Sequence, residues 1–233
     1  MAGEQGFIYE KKINKILKDS GLEDKSFQPA GSDSNAPDGM ILFQGDEYKL
    51  EIKLDTKADF GQGSLAYDMK KKKWTIAGSK TPSGQAMREF LEMIGADKLV
   101  NRAWGKHGPP RKGTVPDERI NKKDVAFDYA HFKDEKVRVD PKAIADYYNT
   151  KKTYYIQIGD HGLYYMGKDV AGIGCSEFKP DVALRIRLKR GGSMPIYNYR
   201  FSTALQVTNL PKSNMDIENK TDIQAMAARS KSK

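Results

Sequence analysis

Three side chains near the N-terminus have the types and spacing that cutting a phosphodiester requires. Asp38 follows Pro37, and Glu51 and Lys53 come after a short apolar segment. Two carboxylates supply hard oxygen ligands for Mg²⁺ and leave coordination positions for water and phosphate oxygens. The metal would polarise the phosphate and lower the pKa of a bound water, and an amine could orient that water or neutralise developing charge. The set therefore predicts metal-assisted hydrolysis of a phosphodiester.

A β-hairpin is the element that would bring these side chains together. Residues 39–44 and 47–54 are rich in apolar side chains and are bounded by turn residues, so both are predicted to be strands. If Gly45-Asp46 forms a two-residue type II′ loop, Gln44 lies opposite Glu47. A three-residue loop would break the arrangement, because a one-residue slip moves one strand's side chains to the other face.

This pairing separates the two faces of the hairpin by chemistry. It sets Met40 opposite Glu51 and Asp38 opposite Lys53, and side chains alternate along each strand, so these four share one face. The other face receives the apolar residues Ile41, Phe43, Tyr48, Leu50 and Ile52. We therefore expect a core on one side of the hairpin and a chemical site on the other.

The same loose pattern occurs a second time in the chain. Pro116-Asp117 is followed by Asp134-Glu135-Lys136, with no apolar strand expected on either side and several lysines nearby. A solvated charge run is the favoured interpretation there. For Asp38, Glu51 and Lys53 a solvated strand face is the alternative, and the hairpin context favours a site.

The order Pro37-Asp38 followed by Glu51-Ile52-Lys53 resembles the signature of the PD-(D/E)xK nuclease superfamily, which includes restriction enzymes, phage and intron-encoded nucleases and junction resolvases. The resemblance implies an α/β fold with a restriction-endonuclease-like mixed sheet of order αβββαβ, flanked by helices. It implies hydrolysis of DNA that depends on Mg²⁺ or, in its place, Mn²⁺. Asp38 and Glu51 would be metal ligands, and Lys53 would lie at the attacking water.

The first helix of that superfamily often supplies a further acidic residue. Residues 6–17 have the pattern of an amphipathic helix with the apolar stripe Tyr9, Ile13, Ile16 and Leu17. Glu10 lies on the flank of this stripe, and the resemblance makes it a catalytic acid and a further metal ligand. A glutamate on an exposed helix surface is the alternative, and the sequence leaves both open.

Composition favours a polyanionic partner. The chain has 233 residues, a net charge of +9 and a pI near 9.3, so we expect DNA as the partner. A cytoplasmic protein without a membrane partner is expected, because no apolar run approaches a membrane span and no secretory signal opens the chain. The single Cys175 excludes an intramolecular disulfide framework, and three scattered histidines argue against a histidine-rich metal centre.

Three basic segments are candidates for DNA contact. They comprise Lys70, Lys71, Lys72 and Lys73 before Trp74, then Arg111 and Lys112 in a turn-rich stretch, and Arg185, Arg187, Lys189 and Arg190 on an alternating strand. Lysines beside an aromatic ring can hold phosphates and stack on a base, and a basic ribbon can lie along a groove. The alternatives are a solvated charge run with a core tryptophan, a disordered loop over residues 105–123, and an edge strand kept soluble.

The predicted organisation is one nuclease domain over residues 1–210. Its catalytic core covers about 5–100, DNA-recognition elaborations in a β-rich half cover about 105–210, and residues 211–233 form a flexible basic tail. A short helical stretch is expected around residues 64–69.

The predicted activity is that of a DNA endonuclease of restriction or phage or homing type. The alternatives are a structure-selective resolvase of the Holliday-junction kind and, from another class, a non-catalytic DNA-binding or packaging protein that retains the fold. A homodimer is expected if both strands of a duplex are cut.

Overall fold

The computed structural model describes residues 2–24, 26–27, 37–68, 70–71, 73–77, 82–104, 135–191 and 198–232. The described residues form a mixed α/β protein with five helices and two five-stranded sheets. The helices are α1 (Ala2–Asp19), α2 (Pro82–Met93), α3 (Ala96–Trp104), α4 (Lys142–Thr150) and α5 (Lys220–Ser230). The strands are β1 (Gly39–Phe43), β2 (Asp46–Lys53), β3 (Gln62–Asp68), β4 (Lys73–Ile76), β5 (Glu135–Val139), β6 (Thr153–Ile158), β7 (Gly162–Tyr165), β8 (Ser176–Glu177), β9 (Asp181–Gly191) and β10 (Asn198–Thr208). None of the described helices is long and apolar enough to cross a membrane.

The chain divides into two compact units, where the sequence predicted one domain. The first unit joins Met1–Ala58 with Asp140–Asp181 and Val207–Lys233, and the second joins Asp59–Val139 with Val182–Gln206. The predicted core boundary of 5–100 is therefore wrong, because residues beyond Ala58 belong to the second unit. The reason is a non-local pairing: β2 pairs in parallel with β6, which lies about a hundred residues later and which local patterns do not reveal.

The sheet of the first unit has the strand order β1-β2-β6-β7-β8. Helix α1 covers one face, because its stripe of Tyr9, Ile13 and Leu17 packs in one cluster with Ile41 and Leu50 of the hairpin. Tyr148 of α4 contacts Glu51 on the other face of β2, so helices lie on both faces of the sheet. The predicted apolar stripe of α1 and the apolar face of the hairpin are both confirmed.

The hairpin turn lies one residue earlier than predicted. Its two-residue loop is Gln44-Gly45, with φ of 54° and 90°, the two positive values that a type I′ turn needs. Phe43 therefore pairs with Asp46, and Ile41 pairs with Tyr48. The predicted pairing is wrong by two residues, but a shift of two keeps every side chain on its predicted face.

Residues 211–233 are not a flexible tail. Helix α5 lies within them, and its Ile223 and Met226 are buried in the same cluster that contains the hairpin. The side chain of Asn219 caps the helix by accepting hydrogen bonds from the backbone N–H groups of Thr221 and Asp222. The few apolar residues of this polar segment are spaced to reach one surface, which composition does not show.

The second unit contains a sheet of order β4-β3-β10-β9-β5. The helical stretch expected around residues 64–69 is wrong, because Gln62–Asp68 is strand β3, paired with β4 and β10. Glu135–Val139 is strand β5, so Glu135 and Lys136 of the second pattern match lie on a strand, one whose Lys136 and Arg138 are exposed. Pro116, Asp117 and Asp134 of that match lie outside the described residues.

Candidate active site

Asp38, Glu51 and Lys53 lie together on one face of the hairpin. Asp38 immediately precedes β1, while Glu51 and Lys53 are alternate residues of β2, whose intervening Ile52 is buried on the opposite face. The side chains of all three are largely but not fully buried, with between 16% and 24% of their surface exposed. The predicted convergence of these three residues is thus found in the structure.

The Lys53 ammonium is the centre of this cluster. Its Nζ lies 2.5 Å from Glu51 Oε1 and 3.5 Å from Asp38 Oδ2. The two carboxylate oxygens are therefore separated by no more than the sum of these distances. The ammonium therefore bridges the two carboxylates.

Backbone contacts fix the position of Asp38. The backbone N–H of Ile52 donates to Asp38 Oδ2 at 3.0 Å, and the side chain of Asn14 in α1 donates from Nδ2 to the Asp38 carbonyl at 2.8 Å. Gly39 permits this approach, because a Cβ at that position would lie only 2.6 Å from Asn14 Oδ1. Helix and hairpin are thus joined at the residue that carries the first carboxylate.

Tyr148 is a site residue that the sequence analysis missed. Its hydroxyl donates to Glu51 Oε1 at 3.0 Å, so this oxygen has two donors, Tyr148 and Lys53. Tyr148 is buried and comes from α4, directly before the strand that pairs with β2. The sequence feature that could have indicated Tyr148 is a helix followed directly by a strand. In an α/β sheet such a helix packs over a neighbouring strand.

The charges of the cluster perturb one another. Burial and the neighbouring Glu51 carboxylate raise the pKa of Asp38 above its ordinary value, against the opposing effect of Lys53. Burial alone would lower the pKa of Lys53, but the carboxylates of Glu51 and Asp38 outweigh it and raise that pKa. Lys53 is therefore an ammonium at neutral pH.

Glu10 of α1 belongs to the same electrostatic environment. Burial and the charge of Asp38 raise its pKa to about 7, and the charges of Lys53 and Glu51 also act on it. The predicted lean of Glu10 toward the hairpin therefore agrees with its position. Its role as a catalytic acid or metal ligand stays a prediction.

The donor set suits Mg²⁺. Asp38, directly before β1, and Glu51 of β2 offer carboxylate oxygens, and burial together with the neighbouring Glu51 charge raises the pKa of Asp38, so a divalent cation would stabilise its charged form. Among the described residues, however, no group of three or more histidine, cysteine, aspartate or glutamate side chains converges as a metal site. The geometry therefore brings Asp38 and Glu51 together as a candidate ligand pair and does not bring Glu10 into it.

The predicted DNA-contacting residues have different positions. Lys70, Lys71 and Lys73 are exposed, but Trp74 is completely buried, so the core tryptophan is correct and stacking of Trp74 on a base is wrong. On β9, Arg185 and Arg187 are partly exposed and alternate with buried Leu184 and Ile186, as predicted.

One of these arginines already has an acidic partner, since Arg185 Nη2 lies 3.4 Å from Asp59 Oδ1. Several predicted contacts cannot be placed: Lys72, Arg111 and Lys112 lie outside the described residues, as do the side chains of Lys189 and Arg190.

Comparison with known proteins adds nothing to this geometry. No protein-family model, no curated protein and no solved structure matches the chain. The cluster of Asp38, Glu51 and Lys53 and its surroundings are therefore the basis for assigning a function.

Proposed function

We propose that this protein is a Mg²⁺-dependent DNA endonuclease with its active site at Asp38, Glu51 and Lys53. The observation that carries the proposal is the contact of one ammonium with two carboxylates on the polar face of the hairpin. Buried ion pairs of this kind are weak contributors to stability, whereas groups with perturbed pKa values occur often at functional sites. A catalytic role explains why the chain keeps three ionisable groups here.

Each residue has a separate task in the proposed reaction. Bound Mg²⁺, or Mn²⁺ in its place, would be held by Asp38 and Glu51 and would supply a polarised phosphate and a more acidic water. Lys53, as an ammonium, donates a hydrogen bond and neutralises the negative charge that develops on the phosphate. Tyr148 positions Glu51 through its hydrogen bond to Oε1. Glu10, with its pKa near 7, can hold or release a proton near the cluster at neutral pH.

The element order of the first unit supports a relation to the PD-(D/E)xK superfamily. Helix α1 leads into the β1–β2 hairpin, and α4 then leads into β6, which lies parallel to the strand bearing Glu51 and Lys53. A restriction-endonuclease-like αβββαβ core would have a third strand before the second helix. Here β3, the strand that follows β2 in the chain, belongs to the other sheet. The first unit therefore matches the αβββαβ order without its third strand.

The proposed substrate is DNA because the chain is strongly basic. The net charge of +9 attracts a polyanion, and the exposed Lys70, Lys71 and Lys73 are positioned on the surface of the second unit. Cleavage of both strands of a duplex often uses two active sites, so a homodimer is proposed for that case.

A non-catalytic DNA-binding protein is the second candidate function. It is favoured by the fact that Lys53 and the two carboxylates already satisfy one another, as in a purely structural ion-pair network. A structure-selective resolvase remains the enzymatic alternative, since it would use the same three residues.

Incubation of the protein with supercoiled plasmid, linear duplex and a four-way junction, each in Mg²⁺ and in EDTA, separates these candidates. An endonuclease cuts plasmid or duplex in Mg²⁺ only, whereas a resolvase cuts the junction in preference. Asp38→Ala is expected to abolish cutting, and Asp46→Ala, an exposed aspartate at the start of β2, is expected to retain it. Binding of all three substrates without cutting would overturn both enzymatic candidates.

A further inference from the structure

Asn14 is a buried polar residue beside the apolar stripe of helix α1. It keeps only 3% of its surface exposed, and its neighbours Ile13 and Leu17 are completely buried. Its Nδ2 donates to the Asp38 carbonyl at 2.8 Å, whereas its Oδ1 is buried and has no hydrogen-bond partner among the described residues. A buried acceptor without a partner lowers the stability of the folded state. Stability alone therefore does not explain an asparagine at this position.

Helix α1 brings two polar side chains to the candidate active site. Glu10 lies one helical turn before Asn14, and residues four apart share a face of a helix. The charges of Asp38 and Lys53 act on Glu10, and Asn14 contacts the main chain of Asp38. The same face of α1 is therefore in the surroundings of the site over two successive turns.

Strand β1 is held on its outer side by α1 and the segment that follows it. β1 is the first strand in the order of its sheet, so the backbone groups on that side face no other described strand. At one end the backbone N–H of Leu42 donates to the Leu22 carbonyl at 2.7 Å, a contact that needs no side chain. At the other end the contact to the Asp38 carbonyl comes from the side chain of Asn14.

The carboxylate of Asp38 depends on this second contact. The β1–β2 pairing begins at Gly39 and Leu50, so Asp38 lies outside the ladder that holds the strand. The backbone N–H of Ile52 donates to Asp38 Oδ2 at 3.0 Å, which fixes the side chain relative to β2. The Asn14 amide fixes the main chain of the same residue, so Asp38 is held at both its carboxylate and its carbonyl.

We propose that Asn14 is a positioning residue that holds Asp38 in the orientation in which its carboxylate binds a divalent cation. Asn14 acts through the main chain of Asp38 and contacts neither the cation nor the DNA. The inference rests on the proposed function and adds the residue of α1 that prepares the site. Replacing the outer partner of a metal ligand typically lowers metal affinity by about 10–100-fold, so loss of the Asn14 donor should weaken cation binding.

The experiment measures Mn²⁺ binding in the absence of DNA, from the electron paramagnetic resonance signal of free Mn²⁺. The binding that Asp38→Ala loses identifies the Mn²⁺ held at the site. Asn14→Leu has a similar volume and no donor, and we expect it to weaken this binding by at least about tenfold. Asn149→Leu is the matched control and should bind as the wild type does. Asn149 Oδ1 is also buried without a hydrogen-bond partner in the described part of the chain, and its amide lies beside Gly167.

Urea denaturation of the same variants separates positioning from packing. Asn14→Leu removes the unpartnered Oδ1 together with the donor, so its unfolding midpoint should equal or exceed that of the wild type. A lower midpoint that accompanies weaker Mn²⁺ binding would make Asn14 a structural residue and overturn the inference, as would equal Mn²⁺ affinity of Asn14→Leu and Asn149→Leu. Both results leave the proposed function in place, whereas no Mn²⁺ binding at Asp38 in the wild type would overturn the proposed metal site as well.

Discussion

Lys53 is the residue on which the chemical interpretation depends. Its ammonium lies between two carboxylates in a site where each charge has lost much of its water. Such an arrangement requires all its members, because removal of one partner leaves an uncompensated charge. The same arrangement keeps Lys53 protonated, which suits charge neutralisation at the phosphate and excludes a role as the base in this state.

Tyr148→Phe tests whether the position of Glu51 matters for catalysis. Removing the hydroxyl leaves Glu51 Oε1 with Lys53 alone, so the carboxylate loses orientation. We expect kcat for DNA cleavage to fall by about tenfold, with a smaller change in KM, because hydrogen bonds to charged groups contribute about 1.5–3 kcal/mol. Tyr48→Phe, on the opposite face of β2, is the control and should cleave at the wild-type rate. Equal rates for the two variants would contradict a positioning role.

Glu23 is not part of the candidate active site, but it should make the free energy of unfolding depend on pH. Its side chain is fully buried, and burial raises its pKa from 4.5 to about 7, although Lys18 opposes the shift. Between these pH values the folded protein holds the proton and the unfolded chain does not. The contribution of Glu23 to stability is therefore fully present below pH 4.5, falls as pH rises from 4.5 to about 7, and is constant above that range.

Glu23→Gln should remove this loss of stability. Relative to the wild type, the free energy of unfolding of the variant should rise by roughly 1–3 kcal/mol between pH 5 and pH 8, as measured by urea denaturation. Glu4→Gln, an exposed glutamate of α1, should show the wild-type pH dependence. If Glu23→Gln and the wild type lose stability in parallel, burial of this carboxyl does not set the pH dependence.

At the scale of elements, the hairpin and helix α1 together form the site. Alternation of apolar and polar residues sufficed to predict both strands and both faces. The turn was misplaced because the prediction favoured a glycine in the first loop position, whereas Gln44 occupies it in a left-handed conformation before Gly45. The misplaced turn shifts the pairing by two residues. Because side chains alternate along a strand, a shift by an even number leaves Asp38, Glu51 and Lys53 on the same face.

Gly39→Ala tests the contact between these elements. The new methyl group would lie 2.6 Å from Asn14 Oδ1 and 3.1 Å from Ile52 Cδ1, so the buried Asn14 side chain must move and its hydrogen bond to the Asp38 carbonyl is disturbed. We expect a loss of about 1–3 kcal/mol in unfolding free energy, together with slower DNA cleavage because Asp38 is displaced. Gly6 lies in α1, the helix of Asn14, and no described atom is within 4 Å of an added Cβ, so Gly6→Ala should stabilise the protein by about 0.5–1 kcal/mol. Urea denaturation of both variants, with cleavage rates, decides whether Gly39 is required for close approach.

At the scale of the whole molecule, the sequence predicted elements better than their assembly. Helix α1 and the two strands of the β1–β2 hairpin follow local patterns and were predicted. The division into two units, the parallel pairing of β2 with β6 and the burial of α5 depend on contacts between distant residues, which a single sequence does not display. Tyr148 was missed for the same reason, since only the β2–β6 pairing brings α4 over Glu51.

The most direct test of the central claim compares two lysines on the same face of β2. Lys53 contacts both carboxylates, whereas Lys49 donates to the Lys151 carbonyl at 3.3 Å and has no part in the cluster. The measurement is the single-turnover rate of DNA cleavage in Mg²⁺ on the best substrate of the plasmid, duplex and junction panel. We predict that Lys53→Met lowers the rate by at least about a hundredfold and that Lys49→Met retains it. Equal rates for the two variants, or the absence of cleavage by the wild type, would contradict the proposed active site.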